Sequence, residues 1–216
     1  RTFIMILSMV VGIFAGMVAV VIKHLVKLIS NFLDEIVIDV NFIFLYLVLP
    51  LIGLTLVFLF VHFILRKKVD HGIPTVLYAI SKRNGRIFPH NMFSSIIASS
   101  ITVGFGGSVG LEGPTLATGS AIGSNLARWL RLNYRQVVLM LGCASAGAMA
   151  AIFKAPIAAV VFALEVIMLN FTLTSIIPLL ISSVMGAITS YLFLGQDTLY
   201  TFDIMRGFEL SKIPYY

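Results

Sequence analysis

The sequence predicts an all-α polytopic membrane protein in which several helices are short, broken or re-entrant. Of the 216 residues, 59% are hydrophobic and only 11% are charged, and the mean hydropathy is +1.04. Soluble domains carry roughly 25% charged residues. A helix needs about 20 mostly apolar residues to cross a membrane, and residues 42–65 form such a run without Asp, Glu, Lys or Arg. Other apolar runs are shorter and are interrupted by glycine or proline.

The net charge of +6 does not indicate a nucleic-acid partner, because the basic residues form short clusters between apolar runs. These clusters lie at 66–68, 82–86 and 128–135. Cytoplasmic loops of membrane proteins show this pattern under the positive-inside rule. We therefore expect no nucleic-acid binding, a multi-pass protein of the cell inner (plasma) membrane, and a cytoplasmic position for the N-terminus and for residues 66–70.

The first apolar run predicts a tilted helix over residues 3–32, followed by an acidic loop at 34–39. It continues into lysines without a small-residue cleavage site, which favours a membrane span over a signal peptide. A second helix is predicted over residues 41–66. The next apolar piece, residues 73–80, is too short to cross and has basic residues on both sides. This piece is therefore predicted to be re-entrant.

The remaining apolar runs predict helices over 88–105, from after Pro114 to about 130, and over 136–153, 156–169 and 171–194, with a loop over 195–216. Several begin at glycine or proline. Irregular backbone at membrane depth is tolerated only where it is buried in protein or lines a cavity. Broken helices whose positive N-terminal ends meet near the midplane are a recurrent way to hold an anion.

The stretch GSVGLEGPTL, residues 107–116, contains an isolated acid. Glu112 is the only Asp, Glu, Lys or Arg between Ile87 and Ala127. Proline suits the first turn of a helix, so the helix after Pro114 is expected to point free N–H groups back toward Glu112. The carboxylate can occupy this anion site, or it can take a proton and leave. A proton-operated gate is our interpretation, and a helix cap or a partner for an arginine is the structural alternative.

Two further motifs begin helices with proline. DHGIP, residues 70–74, opens the re-entrant piece, where His71 could donate a ring N–H to an anion or could simply be a polar loop residue. FKAPIAAVVFALEV, residues 153–166, places Glu165 near the far end of its helix, where a structural role is favoured. Lys154 is expected to snorkel or to face a cavity within the protein.

The sequence offers no chemistry for an enzyme. The other histidines, His24, His62 and His90, lack the spacing of metal ligands. The single cysteine excludes an intramolecular disulfide, and the sequence shows no nucleophile–base pair, Walker loop or redox motif. We therefore expect neither enzymatic activity nor a metal nor a cofactor.

The order of HGIP (71–74), GSVGLEGP (107–114) and FKAPIAAVVFALEV (153–166) resembles the CLC family of chloride channels and anion/proton antiporters. The resemblance runs from about residue 4 to the end. It implies that residues 1–216 are the N-terminal half of a CLC-type transmembrane domain, one of two inverted repeats whose helix N-termini converge near the midplane. It also implies a homodimer in the lipid bilayer with a pore in each subunit. The sequence, which does not begin with Met, is expected to be a fragment.

The resemblance also implies roles for individual residues. Glu112 matches the gating glutamate, which competes with the anion and carries protons. Gly110, Leu111 and Gly113 would lie around it in the anion site, with Leu111 at a position where the family usually has Lys or Arg.

The first anion-site segment of the family matches His71, Gly72, Ile73 and Pro74. His71 stands where the family commonly has a serine that coordinates the central anion. The resemblance implies chloride as the transported ion, and fluoride and nitrate are alternatives because of His71.

Position 166 bears on proton coupling. Proton-coupled members usually carry an inner glutamate there, whereas this chain has Val166, and Glu165 matches the preceding acid. An apolar residue is typical of channels, so the favoured prediction is voltage- or pH-gated anion conduction. A proton-coupled anion antiporter is the alternative. Two other classes stay open: an unrelated secondary transporter, and a membrane fragment that transports nothing.

Overall fold

A computed structural model describes residues 2–40, 45–66, 72–167 and 173–195. Helices joined by short turns and loops make up these ranges, and no strand occurs in them. Eight α-helices follow one another in these ranges: α1 Thr2–Val40, α2 Leu45–Leu59, α3 Ile73–Lys82, α4 Asn91–Gly104, α5 Glu112–Trp129, α6 Tyr134–Phe153, α7 Pro156–Ile167 and α8 Leu173–Leu194. A π-helical turn, Phe60–Leu65, extends α2.

Four of these segments are long and apolar enough to cross a membrane: Thr2–Val37, Leu45–Leu65, Tyr134–Phe153 and Ser175–Leu194. The protein is therefore a multi-pass membrane protein, as predicted. The other helices, α3, α4, α5 and α7, have 10, 14, 18 and 12 residues. The predicted mixture of full spans and short, broken helices is confirmed.

Helix α6 lies at the centre of the fold. It packs against α1, α5, α7 and α8, and every residue from 140 to 152 is buried. Most of this run consists of Gly, Ala and Ser, which let neighbouring helices approach closely in lipid. A Cβ added to Gly147 would lie 3.1 Å from the Cα of Gly12 in α1 and 3.0 Å from the Oγ of Ser182 in α8. These three helices therefore meet nearly backbone to backbone.

Some predicted boundaries are wrong, and the reasons are local. The acids Asp34 and Glu35 lie inside α1 rather than in a loop, so this helix is longer than predicted. Helix α4 begins at Asn91, after turns at 89–90. Helix α5 begins at Glu112 rather than after Pro114, because a proline within the first turn costs no intrahelical hydrogen bond. The predicted tail loop beyond residue 195 lies outside the described residues.

Replacing Gly186 of α8 by alanine tests the close crossing of α6 and α8. The new Cβ would overlap the carbonyl oxygen of Gly147 and lie 2.8 Å from its carbonyl carbon. Because backbone cannot move aside as a side chain can, we expect a loss of about 1–3 kcal/mol in stability. Thermal unfolding in detergent measures it. Val184→Ala, at an exposed position of the same helix, is the control and should unfold close to wild type; equal melting temperatures for the two variants would contradict the crossing.

Candidate anion site

Glu112 is the first residue of α5, and its side chain is exposed. The carboxylate folds back against the preceding loop. A Cβ on Gly110 would overlap Oε2 of Glu112 and would lie 3.1 Å from its Cδ. Glycine at position 110 thus leaves the space that the carboxylate fills.

The N-terminal end of α5 presents a positive electrostatic end to this carboxylate. The first N–H groups of a helix lack intrahelical acceptors, and the macrodipole places partial positive charge there. Thr115 donates its N–H to the carbonyl of Leu111 at 3.0 Å, and Pro114 has no N–H to offer. The N–H groups of Glu112 and Gly113 are therefore the ones this end can direct at an anion.

The start of α3 lies beside the start of α5. Gly72 caps α3 with φ 77° and ψ −166°, a conformation that glycine adopts readily, and Pro74 lies in the first turn. A Cβ on Gly113 would lie 3.6 Å from the Cα of Gly72. Two segments that the sequence singled out, 41 residues apart, thus lie so close that an alanine at position 113 would touch Gly72. Ile73 is half-buried, and His71 lies outside the described residues.

The third motif forms α7, which also contacts α3. Pro156 is its first residue, whereas Glu165 and Val166 lie near its other end. Glu165 is exposed, and Val166 is half-buried against the main hydrophobic core. An apolar contact thus stands at the position where proton-coupled members of the resembled family usually have an inner glutamate.

Lys154, predicted to snorkel or to face a cavity, connects two helices. It ends α6 in the left-handed conformation, with φ 54°. Its Nζ donates to the carbonyl of Gly195, at the end of α8, at 2.6 Å, and lies 4.7 Å from the centre of the Tyr191 ring. The lysine thus places its positive charge at the C-terminal end of α8, where the helix macrodipole favours a cation.

Sequence reasoning missed a set of buried polar side chains in α4 and α5. Within the described residues, polar atoms of six such side chains are buried and have no hydrogen-bond partner: Asn91, Ser94, Ser95, Ser100, Thr115 and Thr118. Buried polar groups are usually paired with protein or ordered water. The serine pairs of SSIIASS, residues 94–100, were the signal that could have found them, since paired serines are unusual in an otherwise apolar helix.

Comparison with known proteins now decides the family. The family model described as "Voltage gated chloride channel" matches residues 52–216. The chain belongs to this family, the CLC family. The predicted resemblance is confirmed, and so is the fold class. The roles predicted for the residues where the starts of α3 and α5 meet stay predictions.

The chain is 30% identical, over 222 residues, to the H⁺/Cl⁻ exchange transporter ClcA of Vibrio cholerae, covering 97% of this chain and 47% of that protein. It is 31% identical, over 147 residues, to an uncharacterised protein of Methanocaldococcus jannaschii, covering 68% of this chain and 36% of that protein. The chain thus spans about half the length, or less, of the curated relatives it matches.

Two solved structures superpose on this fold with a TM-score of 0.74, each covering 97% of this chain and 51% of theirs. One is a CLC-type fluoride/proton antiporter, at 26% identity. The other is a slow cyanobacterial Cl⁻/H⁺ antiporter, at 21% identity, and shows the fold alone. The described helices therefore have the arrangement of half of a CLC protein.

Replacing Gly110 by alanine tests the folded-back position of Glu112. The added Cβ would displace the carboxylate, which ends a flexible side chain, so we expect stability within about 1 kcal/mol of wild type. If Glu112 is the predicted gate, anion flux through the full-length protein should rise clearly. Chloride efflux from liposomes at two pH values measures the flux. The control is the same substitution in a Glu112→Ala background, where it should change nothing further. An equal effect of Gly110→Ala in both backgrounds would contradict the contact.

Proposed function

We propose that this chain forms half of the transmembrane domain of a proton-coupled anion antiporter. The observation that supports this proposal is the Glu112 carboxylate folded against Gly110 at the N-terminal end of α5. The printed names of the relatives, a Cl⁻/H⁺ exchanger and a fluoride/proton antiporter, favour exchange over passive conduction. The sequence alone favoured the channel because of Val166.

In the proposed mechanism the carboxylate and the transported anion compete for the same positive helix ends. Ionised Glu112 occupies the site beside the N–H groups of α5, as an anion would. A proton neutralises the side chain, which weakens its attraction to the helix end and lets an anion take its place. Each proton taken up thereby admits an anion.

Position 166 restricts how protons could reach Glu112 from the other side of the membrane. Val166 is half-buried and cannot carry a proton. An exchanger built on this chain must therefore move protons without an acid at that position. A passive chloride channel is the second candidate, and Val166 is the observation that favours it.

We propose chloride as the transported anion, with fluoride or nitrate as alternatives. Leu111 is buried and apolar, 7% exposed, so it adds no cation to the site. Selectivity would then rest on backbone N–H groups and on residue 71.

The homodimer and the plasma-membrane location are proposals too. The exposed apolar side chains Ile157 and Val161 of α7 and Leu192 of α8 supply a surface that lipid or a second subunit could cover.

Glu112→Gln tests the exchange mechanism. The full-length protein is reconstituted in liposomes, and chloride efflux and proton movement are recorded together. Wild type should move protons against chloride in a fixed ratio. Glutamine cannot ionise, so the variant should keep chloride flux within about tenfold of wild type and lose proton movement and pH dependence.

The matched control is Glu35→Gln, the same change at an exposed position of α1, which should behave as wild type. Chloride efflux without proton movement in wild type would support the channel instead. Loss of all flux in a folded Glu112→Gln variant would show that Glu112 is not the gate.

A further inference from the structure

A basic cavity of about 600 Å³ lies at the end of the molecule opposite Glu112 along α5. Four cations line it: Lys82 at the end of α3, Arg83 and Arg86 in the following loop, and Arg128 at the end of α5. None of the described residues that line it is acidic. Most of the residues that line it are exposed, so the cavity is open rather than enclosed.

The loop that carries two of these cations is fixed to α5 by hydrogen bonds. The Ser124 hydroxyl donates to the carbonyl of Gly85 at 2.5 Å and accepts the N–H of Ile87 at 3.1 Å. Asn125 donates its side-chain amide to the carbonyl of Ile87 at 3.3 Å. The cavity wall is therefore held in place before any ligand arrives, which lowers the entropy cost of binding.

Aromatic rings hold one of the arginines. The Arg83 guanidinium lies 5.1 Å from the centre of the Tyr78 ring and 4.9 Å from that of the Phe88 ring. Among the described residues, no carboxylate pairs with its five N–H donors. A guanidinium held in this way suits a phosphate group, whose oxygens match its paired donors.

The surroundings of the cavity indicate a position at the membrane surface. Tyr78 is 52% exposed, Phe88 51%, and Trp129, next to Arg128, 80%. Exposed Tyr and Trp concentrate at the interface of membrane and water, and basic clusters mark its cytoplasmic side. Lipid phosphates lie at that depth. A soluble anion would not need the exposed rings of Tyr78, Phe88 and Trp129, which we call the aromatic rim.

We propose that this basic cavity binds the phosphate headgroup of an anionic membrane phospholipid. The cations supply the charge, and the aromatic rim contacts the glycerol and the upper acyl chains. Basic pockets between membrane helices on the cytoplasmic side are suited to such headgroups. The proposal does not depend on transport, because none of its residues belongs to the anion site.

The test compares two double variants of the full-length protein with equal charge loss. Arg86→Gln with Arg128→Gln removes two cations of the cavity, whereas Arg131→Gln with Arg135→Gln removes two exposed cations beside it that do not line it. Each protein is reconstituted in vesicles of phosphatidylcholine with phosphatidylglycerol, and bound lipids are counted by native mass spectrometry after gentle extraction. Thermal unfolding in detergent confirms that the variants fold.

Wild type and the control pair should both retain phosphatidylglycerol in preference to phosphatidylcholine. The cavity pair should lose that preference by about tenfold or more. If the cavity pair does not fold, each of its substitutions is measured alone, with a loss of about threefold or more expected. Equal losses in the two pairs, or none in either, would overturn the proposal.

A second arm separates a lipid from a soluble phosphate. Glycerol 3-phosphate, the headgroup without acyl chains, is added at millimolar concentration to the protein with its bound lipid. Retention of phosphatidylglycerol supports the lipid. Its displacement, or binding of glycerol 3-phosphate equally well without lipid, would show that the cavity takes a soluble phosphate ester and would refute the proposal.

Discussion

The close contact of α1, α6 and α8 is the constraint on which the remaining structure depends. Gly12, Gly147 and Gly186 bring three backbones together, and Ser182 donates its hydroxyl to the carbonyl of Cys143 across the contact at 2.6 Å. In lipid there is little hydrophobic driving force between helices, so close packing and such hydrogen bonds supply the association. These three spans form the rigid base against which the short helices lie.

Helix α5 is positioned by the same base. A Cβ on Gly119 would lie 2.8 Å from the carbonyl oxygen of Ala144 in α6, and the hydroxyls of Ser120 and Ser145 are hydrogen-bonded at 2.6 Å. With α5 fixed along α6, the location of its first residue is fixed as well. The place of Gly113 beside Gly72 therefore follows from packing far from the start of α5. Lys154 secures the C-terminal end of α6 to the end of α8.

The N-terminal end of α5 favours a negative charge and its C-terminal end a positive charge, and a residue of the matching charge lies at each end. Glu112 lies at the positive N-terminal end, and Arg128 lies in the last turn, where the negative end of the dipole favours a cation. Over 18 residues the helix spans about 27 Å. One helix thus separates Glu112 from the basic cavity, which lies near its other end.

The sequence by itself determined the class of protein, the family, and the helices that are too short to cross, because hydropathy, charge clusters and Gly/Pro signals act locally. It also singled out Glu112 and Gly72–Pro74. It did not predict that α5 begins before Pro114, or that Asp34 and Glu35 continue α1, since a proline in the first turn and two acids near a helix end are compatible with both outcomes. Only the tertiary structure placed Gly110 against the carboxylate of Glu112, paired Lys154 with Gly195, and gathered Lys82, Arg83, Arg86 and Arg128 around one cavity. These contacts join residues distant in the chain or depend on side-chain direction, and close packing of the small-residue helices decides them.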